Sequence, residues 1–345
     1  MLHLSFLALN EFYTKNQRLP EVNDSNDAAE MTDISKLIFS VGKNRKRDWA
    51  LNLEENLNEI FIIYLSYWSR LSPIPICSFL GGVVSQEIIK HTGKFTPFNQ
   101  WYYFDFFYLL KKDFNISEIT KPQKEDYSNK YFDNISIFGK DIQNKFADLN
   151  LFIIGCGSLG SEFLKIFSVM GLSTNKGTIT VTDNDVIETS NLNRQLLFKK
   201  ENIGVFKSKI AKDIIKQINP DVNCVDKQIK IGENSNTENE EGEILSDKFL
   251  LEQDMIFTCV DNLETRKYFD QKNILLKKIH FDTGLMGTKG HSQIMIPNKT
   301  SIFDDKQDYE NEINYNLQDF LFPCQIEDCI EWGKFKFMEY FSENI

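Results

Sequence analysis

Gly155-Cys156-Gly157-Ser158-Leu159-Gly160 is the stretch whose residue types and spacing first suggest chemistry. The first glycine permits a tight turn, the second lets backbone approach a phosphate, and the third lets a following helix pack on the preceding strand. The free N–H groups of that helix favour an anion. About twenty residues on, Asp183 stands where an acid can bind ribose hydroxyls. A nicotinamide-dependent oxidoreductase would share these features. What comes next is different: Asp185, Ser190-Asn191-Leu192-Asn193-Arg194-Gln195, Lys207 and Cys259-Val260-Asp261-Asn262 add two cations, several amides and spaced carboxylates. Arg194 and Lys207 can neutralise phosphate charge, and Asn191 and Gln195 can donate hydrogen bonds. Asp261, with Asp185 as a second carboxylate, can take one or two positions of an otherwise hydrated Mg²⁺. The set suits a triphosphate with magnesium, and hydride transfer needs none of it.

A doubly wound α/β sheet would position these side chains. Leu151 to Ile154 is a short apolar run with the character of a buried parallel strand, and Thr178 to Thr182 is a second strand that delivers Asp183. Glu201 to Ile218 reads as a loop and helix closed by Asn219-Pro220, and Gln253 to Val260 as a further buried strand. Ligands of such sheets lie beyond the carboxyl ends of the strands, so Asp261 is well placed for the metal and Asp254, at the strand's start, is not.

Ahead of this lies a mainly helical region. Leu2, Phe6, Leu9 and Tyr13 fall at helical spacing, and further helices are expected from about Ala28 to Phe39, over Leu51 to Tyr67 (ended by Pro73 and Pro75), and over Ser78 to His91. Gly81-Gly82 would permit close packing, and Gly93 would cap the last helix. Lys43-Asn44-Arg45-Lys46-Arg47 has the form of a localisation signal, although a solvated loop between helices is the preferred reading. The aromatic run Trp101 to Leu110, broken only by Asp105, is expected to be buried strand or interface rather than a ligand box. Phe114 to Asn129 is a charged linker, and the Glu- and Asn-rich Gly232 to Asp247 a solvated insertion.

A length of 345 residues implies about two domains, and 41% hydrophobic content is enough for sizeable cores. The net charge of −11 argues against a nucleic-acid partner, because phosphate backbones demand clustered Lys and Arg. No apolar window is long enough to cross a bilayer. Six dispersed cysteines without a CxxC pair argue against structural zinc and point to reduced thiols in cytoplasm or nucleus.

From Gly155 to Gly290 the chain resembles the active adenylation domain of ubiquitin-activating enzymes, itself similar to the bacterial sulfur-carrier adenylating enzymes. The motifs coincide in order: the glycine loop, Thr182-Asp183-Asn184-Asp185, Ser190 to Gln195, Lys207-Ser208-Lys209, Ile218-Asn219-Pro220, Asp261-Asn262 with Arg266, and Gly287-Thr288-Lys289-Gly290. Residues Leu2-His3 with Phe6, Asp27 to Glu30, Pro73-Ile74 with Gly81-Gly82 and Gln86-Glu87, Gly93 to Phe95, and Gln100-Trp101 with Tyr103 to Asp105 are similar to that family's four-helix bundle and the end of its inactive adenylation half. The resemblance implies a Rossmann-like, ThiF-like adenylation fold in four portions: a helical bundle over 1–60, the end of the inactive half over 61–125, the active adenylation domain over 126–310, and the start of a catalytic-cysteine region over 311–345. It also implies that the chain begins partway through the family architecture, without the first-half arginine that reaches bound ATP.

By the same resemblance, Gly155, Gly157, Ser158, Gly160, Asp183, Asn191, Arg194, Gln195, Lys207 and Asn262 hold ATP, and Asp261 and Asp185 hold Mg²⁺. The implied reaction is adenylation of the C-terminal glycine of ubiquitin or a ubiquitin-like protein, with Arg194, Lys207 and Asp261 catalytic and a ubiquitin-conjugating enzyme as a further partner. The family's thioester cysteine has no counterpart, since Tyr315 to Asp319 stand in its place. Cys324, just after Pro323, would feel a helix N-terminus and is a conceivable substitute nucleophile, although a small apolar helix residue is the preferred reading. A catalytically inactive adenylation-fold protein that binds nucleotide or a ubiquitin-like partner is the alternative.

Overall fold

A computed structural model describes residues 1–53, 57–93, 95–107, 110, 121–122, 126–229, 231, 246–286 and 289–300, with isolated positions at 326, 330, 332–333 and 336–337. The chain divides into two compact units, Met1–Phe146 with Val169–Gly171, and Ala147–Ser168 with Leu172–Ile345.

The first unit is helical. Helices α1 (Leu2–Asn16), α2 (Ser25–Asn44), α3 (Asp48–Leu51) and α4 (Glu59–Trp68) lead into α5 (Ile74–Lys90), with α6 (Phe132–Phe138) and α7 (Lys140–Ala147) at the unit's end. The buried row of α1 is Leu4, Ala8 and Phe12, while Phe6 and Tyr13 are exposed. The helix expected from the spacing of Leu2, Phe6, Leu9 and Tyr13 is present, and its buried row lies beside that stripe. In a helix with apolar side chains on both sides, the inward face is chosen by what packs there, which for Ala8 and Phe12 is Met31 and Ile62. Asp24 starts α2 by accepting the N–H groups of Asn26 and Asp27, so that helix begins three residues before Ala28.

Pro73 and Pro75 open a helix instead of closing one. Pro73 caps α5 and Pro75 lies in its first turn, where a missing N–H costs nothing. None of the α5 residues is buried and nothing lies within 4 Å of a Cβ built at Gly81 or Gly82, so among the described residues the expected close packing there is not found. The basic run lies partly in the last turn of α2 and partly just beyond it. Trp101 to Tyr103 form no strand and are exposed, Trp101 at 79%. Only the far end of the aromatic run turns inward: Phe106 and Phe107 pack with Tyr64, Trp68 and Ile137. Most of the expected linker and acidic insertion, and the aromatic positions 108–109, lie outside the described residues.

The second unit carries the sheet. Strands β1 (Leu151–Ile154), β2 (Ile179–Thr182), β3 (Cys224–Lys227), β4 (Met255–Thr258), β5 (Ile279–Met286) and β6 (Lys289–Met295) run in the order β3-β2-β1-β4-β5-β6 among the described residues. The first five are parallel to their neighbours and β6 returns antiparallel on β5. All four residues of β1 and of β2 are buried, as expected for central strands covered on both faces. Helices α8 (Ser158–Met170), α9 (Lys207–Ile218), α10 (Asp247–Glu252) and α11 (Leu263–Leu275) link them. Phe152, Ile154, Ile256, Leu250 and Phe269 form the core beneath one face, each such side chain contributing about 2 kcal/mol by burial. Strand order reverses between β1 and β4, so the loops after these two strands bound a crevice at the carboxyl rim.

Candidate functional site

The glycine loop leaves β1 at that crevice. Gly155 has φ +92°, and a Cβ there would sit 2.7 Å from the Cys259 carbonyl oxygen, so the turn tolerates only glycine. A Cβ on Gly160 would run into the Gly155 carbonyl, whereas one on Gly157 would meet nothing within 4 Å. The middle glycine therefore presents bare backbone to open space, and Ser158 begins α8 beside it.

Asp183, just past β2, ties this loop to the next. Its Oδ2 accepts the Cys156 N–H at 2.6 Å and its Oδ1 accepts the Asp185 N–H at 2.8 Å. Burial raises its pKa above the ordinary carboxylate value, opposed by those two N–H groups. The expected ribose ligand thus also works as the clasp between the glycine loop and the Asp185 loop. Asp185 in turn accepts the Lys207 ammonium at 2.7 Å, and its carbonyl accepts the Lys207 N–H at 2.9 Å. Lys207 is buried while the Asp185 carboxylate is mostly exposed. An expected phosphate ligand and an expected metal ligand are therefore paired with each other.

The loop from Ser190 to Gln195 is self-supporting. Asn191 is buried and its Oδ1 accepts the Glu188 N–H at 2.9 Å, while the Gln195 N–H reaches the Asn191 carbonyl at 2.9 Å. The Gln195 side chain is buried, and its Oε1 has no hydrogen-bond partner among the described residues. Arg194 is exposed and donates to the Ser190 carbonyl at 2.8 Å and to Asn193 Oδ1 at 3.1 Å. Beyond β4, Asp261 is exposed, and Asn262 spends its Oδ1 capping α11 through the Thr265 N–H at 2.7 Å. Asp254 is at the other end of β4, accepting the Asn150 N–H at 2.7 Å. Cys324, Gly287 and Thr288 lie outside the described residues. Among the described residues no three His, Cys, Asp or Glu side chains form a metal cluster.

A second group of polar side chains, unremarked in the sequence apart from Arg266, comprises Arg266, Asp282, Thr258 and His280, which are buried, and His291, which is partly exposed. Arg266 on α11 donates to Asp282 Oδ2 at 2.7 Å and, through its other terminal nitrogen, to the Val260 carbonyl. Asp282 is 0% exposed and also accepts the Thr258 hydroxyl at 2.6 Å. With that proton committed, the Thr258 oxygen accepts from His280 Nε2 at 2.9 Å, which assigns the proton of the His280 ring to Nε2. His291 Nε2 lies 2.9 Å from Asp282 Oδ2 and 3.0 Å from Arg266 Nη1. As Nε2–H the ring donates to the carboxylate, and as the other tautomer its Nε2 lone pair accepts from Arg266, so in either form His291 engages the Arg266–Asp282 pair. The available signal was two periodicities: His280 and Asp282 share one face of β5, and Arg266, Asp270 and Asn273 share one face of α11.

Residues 127–319, more than half of the chain, match the ThiF family. The chain belongs to the ThiF family. Residues 1–38 match the ubiquitin-activating enzyme E1 four-helix bundle. Over 352 residues the chain is 35% identical to ubiquitin-activating enzyme E1 1 of Candida albicans (strain WO-1), covering 99% of this chain and 33% of that protein. It is 35% identical over 351 residues to ubiquitin-like modifier-activating enzyme 6 of Homo sapiens, covering 99% and 31%. The chain therefore spans about a third of the length of these curated relatives. Among solved structures, Escherichia coli MccB with AMPCPP and SeMet MccA aligns with TM-score 0.45 and 20% identity, over 56% of this chain and 58% of that one.

The donor set of this ThiF-family chain fits a magnesium nucleotide. Open backbone at Gly157 and the Lys207 ammonium can meet phosphate, and the buried Gln195 oxygen, without a partner among the described residues, can accept from a ribose hydroxyl. Mg²⁺ asks the protein for only one or two carboxylates and takes its remaining ligands from phosphate and water; Asp261 and Asp185 can supply them.

Proposed function

We propose that this chain carries the nucleotide site for ATP- and Mg²⁺-dependent adenylation of the C-terminal glycine of ubiquitin or a ubiquitin-like protein, the first step of protein ubiquitination. The observation that carries this reading is the clasp at the sheet's carboxyl rim, where Asp183 joins the glycine loop to the Asp185–Lys207 pair. It joins the glycine loop to a cation and two carboxylates on adjoining loops, which supports the reading.

In this reading the loop N–H groups around Gly157 and Ser158 bind phosphate oxygens, Lys207 exchanges Asp185 for a phosphate, and Arg194 swings from its own loop to do the same. Asp183 keeps the loops in register and offers its rim to the ribose. The carrier's carboxylate oxygen attacks the α-phosphorus, the bond from that phosphorus to the bridging oxygen breaks, and pyrophosphate leaves. The protein's share is orientation and charge neutralisation. Bound Mg²⁺, held by Asp261 and Asp185, would offset the charge on the leaving pyrophosphate.

The reading extends to a ubiquitin-conjugating enzyme as later partner, to cytoplasm or nucleus as the site of action, and to the four-portion division with boundaries near 60, 125 and 310. Among the described residues no helix is long and apolar enough to cross a membrane. The test is ubiquitin-dependent exchange of labelled pyrophosphate into ATP, run over a panel of ubiquitin-like proteins. Exchange with at least one carrier is expected, and none with any carrier would overturn the reading. A non-reducing gel of parent and Cys324→Ser reads whether a thioester forms at Cys324.

A further inference from the structure

Asp261, the carboxylate assigned to magnesium, stands on a loop with an unusual anchor. The carbonyl before it, Val260, accepts from Arg266, and Arg266 is fixed in turn by Asp282 at 2.7 Å. Both side chains of this ion pair are buried, at 7% and 1% exposure. An ion pair so far from water is weak evidence of stabilisation, because desolvation offsets its Coulomb attraction. What it does supply is rigidity: Asp282 is held from three directions by Arg266, Thr258 and His291. The third of these comes from β6, which pairs with β5 so that His291 faces Gly284. A Cβ at Gly284 would collide with the His291 ring and lie 2.8 Å from Arg266 Nη2, so the space for this contact exists only because residue 284 has no side chain. Asn262 pins the loop's other side by capping α11.

We infer that His291, Asp282 and Arg266 form a positioning chain that runs from the last strand of the sheet to the Val260 carbonyl and presets the Asp261 carboxylate for the metal of a bound nucleotide. The inference rests on the adenylation reading and adds the residues that orient its metal ligand. Arg266 and Asp282 touch neither nucleotide nor carrier in this scheme; they act through the backbone of the loop. Supporting residues of this kind typically govern metal affinity by one to two orders of magnitude.

The test is calorimetric titration of ATP into the full chain, with and without MgCl2, for the parent, Arg266→Lys and His291→Asn. Magnesium should tighten ATP binding by the parent. In Arg266→Lys that magnesium-dependent gain should fall by about tenfold, and in His291→Asn by a smaller factor, while affinity for metal-free ATP stays within about twofold of the parent's. His291 is 40% exposed, so its variant reports even if Arg266→Lys does not fold. Equal losses with and without magnesium would mean a merely structural role and overturn the inference, as would an unchanged gain in both variants. A parent that binds ATP with no magnesium-dependent gain would instead strike the metal reading on which this one rests.

Discussion

Lys207 shows how a buried charge is kept neutral. The ammonium is buried and would be costly without a counter-charge, and Asp185 supplies it at 2.7 Å. In the proposed site, exchange of that partner for a phosphate would keep the ammonium neutralised throughout, so binding need not break an ion pair without replacement. Lys207→Ala is expected to lower ubiquitin-dependent pyrophosphate exchange by about a hundredfold; a change under about threefold would remove Lys207 from the phosphate site. The thiols make the opposite case. Burial pushes Cys224 and Cys259 up to about 12, and drives Cys156 upward as well, its thiolate further disfavoured by the Asp183 carboxylate. A thiol so protonated is a poor nucleophile. Among the described cysteines, iodoacetamide at pH 8 should therefore label Cys77, which is exposed, and spare the other three until the protein is unfolded. Peptide mapping that finds Cys259 alkylated in the native state would refute this.

Two elements illustrate how local chemistry is overruled or reinforced by packing. Helix α11 carries Arg266, Asp270 and Asn273 on one stripe, which in isolation reads as the solvent face of an amphipathic helix. All three are buried, Arg266 bonded to Asp282 and Asp270 3.8 Å from His280 on β5. Polar face packs on polar face, and sequence periodicity has no way of telling this from exposure. The α1–α2 hairpin is the reinforced case. Asp27 accepts two bonds from Arg18, at 2.6 and 2.9 Å, and the Glu21 N–H at 2.7 Å. The hydrogen-bonded Arg18 guanidinium holds the Asp27 carboxyl below its ordinary range despite burial, and Lys121 does the same for Asp24. Because these folded-state pKa values are depressed, the stabilisation is complete above about pH 4 and is lost as pH falls through the lowered values. Asp27→Asn should destabilise the protein by about 2 kcal/mol at neutral pH, and its melting temperature should fall less than the parent's between pH 7 and pH 3. Equal acid sensitivity in the two proteins would discount the Arg18 contact.

For the whole molecule, the decisive comparison is between nucleotides. A ligand that binds the folded chain alone adds about 2.7 kcal/mol of stability at a hundredfold excess over its dissociation constant. Mg·ATP is expected to raise the melting temperature accordingly, and NAD to leave it unmoved; the reverse would revive the oxidoreductase reading that the glycine loop and Asp183 also allow. Much of this molecule was legible from residues in order. The buried β1 and β2 runs, the loop between them, the position of Asp261 past β4 and the parallel sheet all follow from short-range pattern, because a central strand must be apolar and a phosphate loop must be glycine-rich. Other features were set at longer range. Which face of α1 turns inward was chosen by Met31 and Ile62, and whether Pro75 ends or begins a helix by the turn it occupies. Sequence fixes what each residue can bond to. Only the fold brings Arg266, Asp282 and His291 together, since residues on a helix and two strands meet through packing that no local pattern encodes.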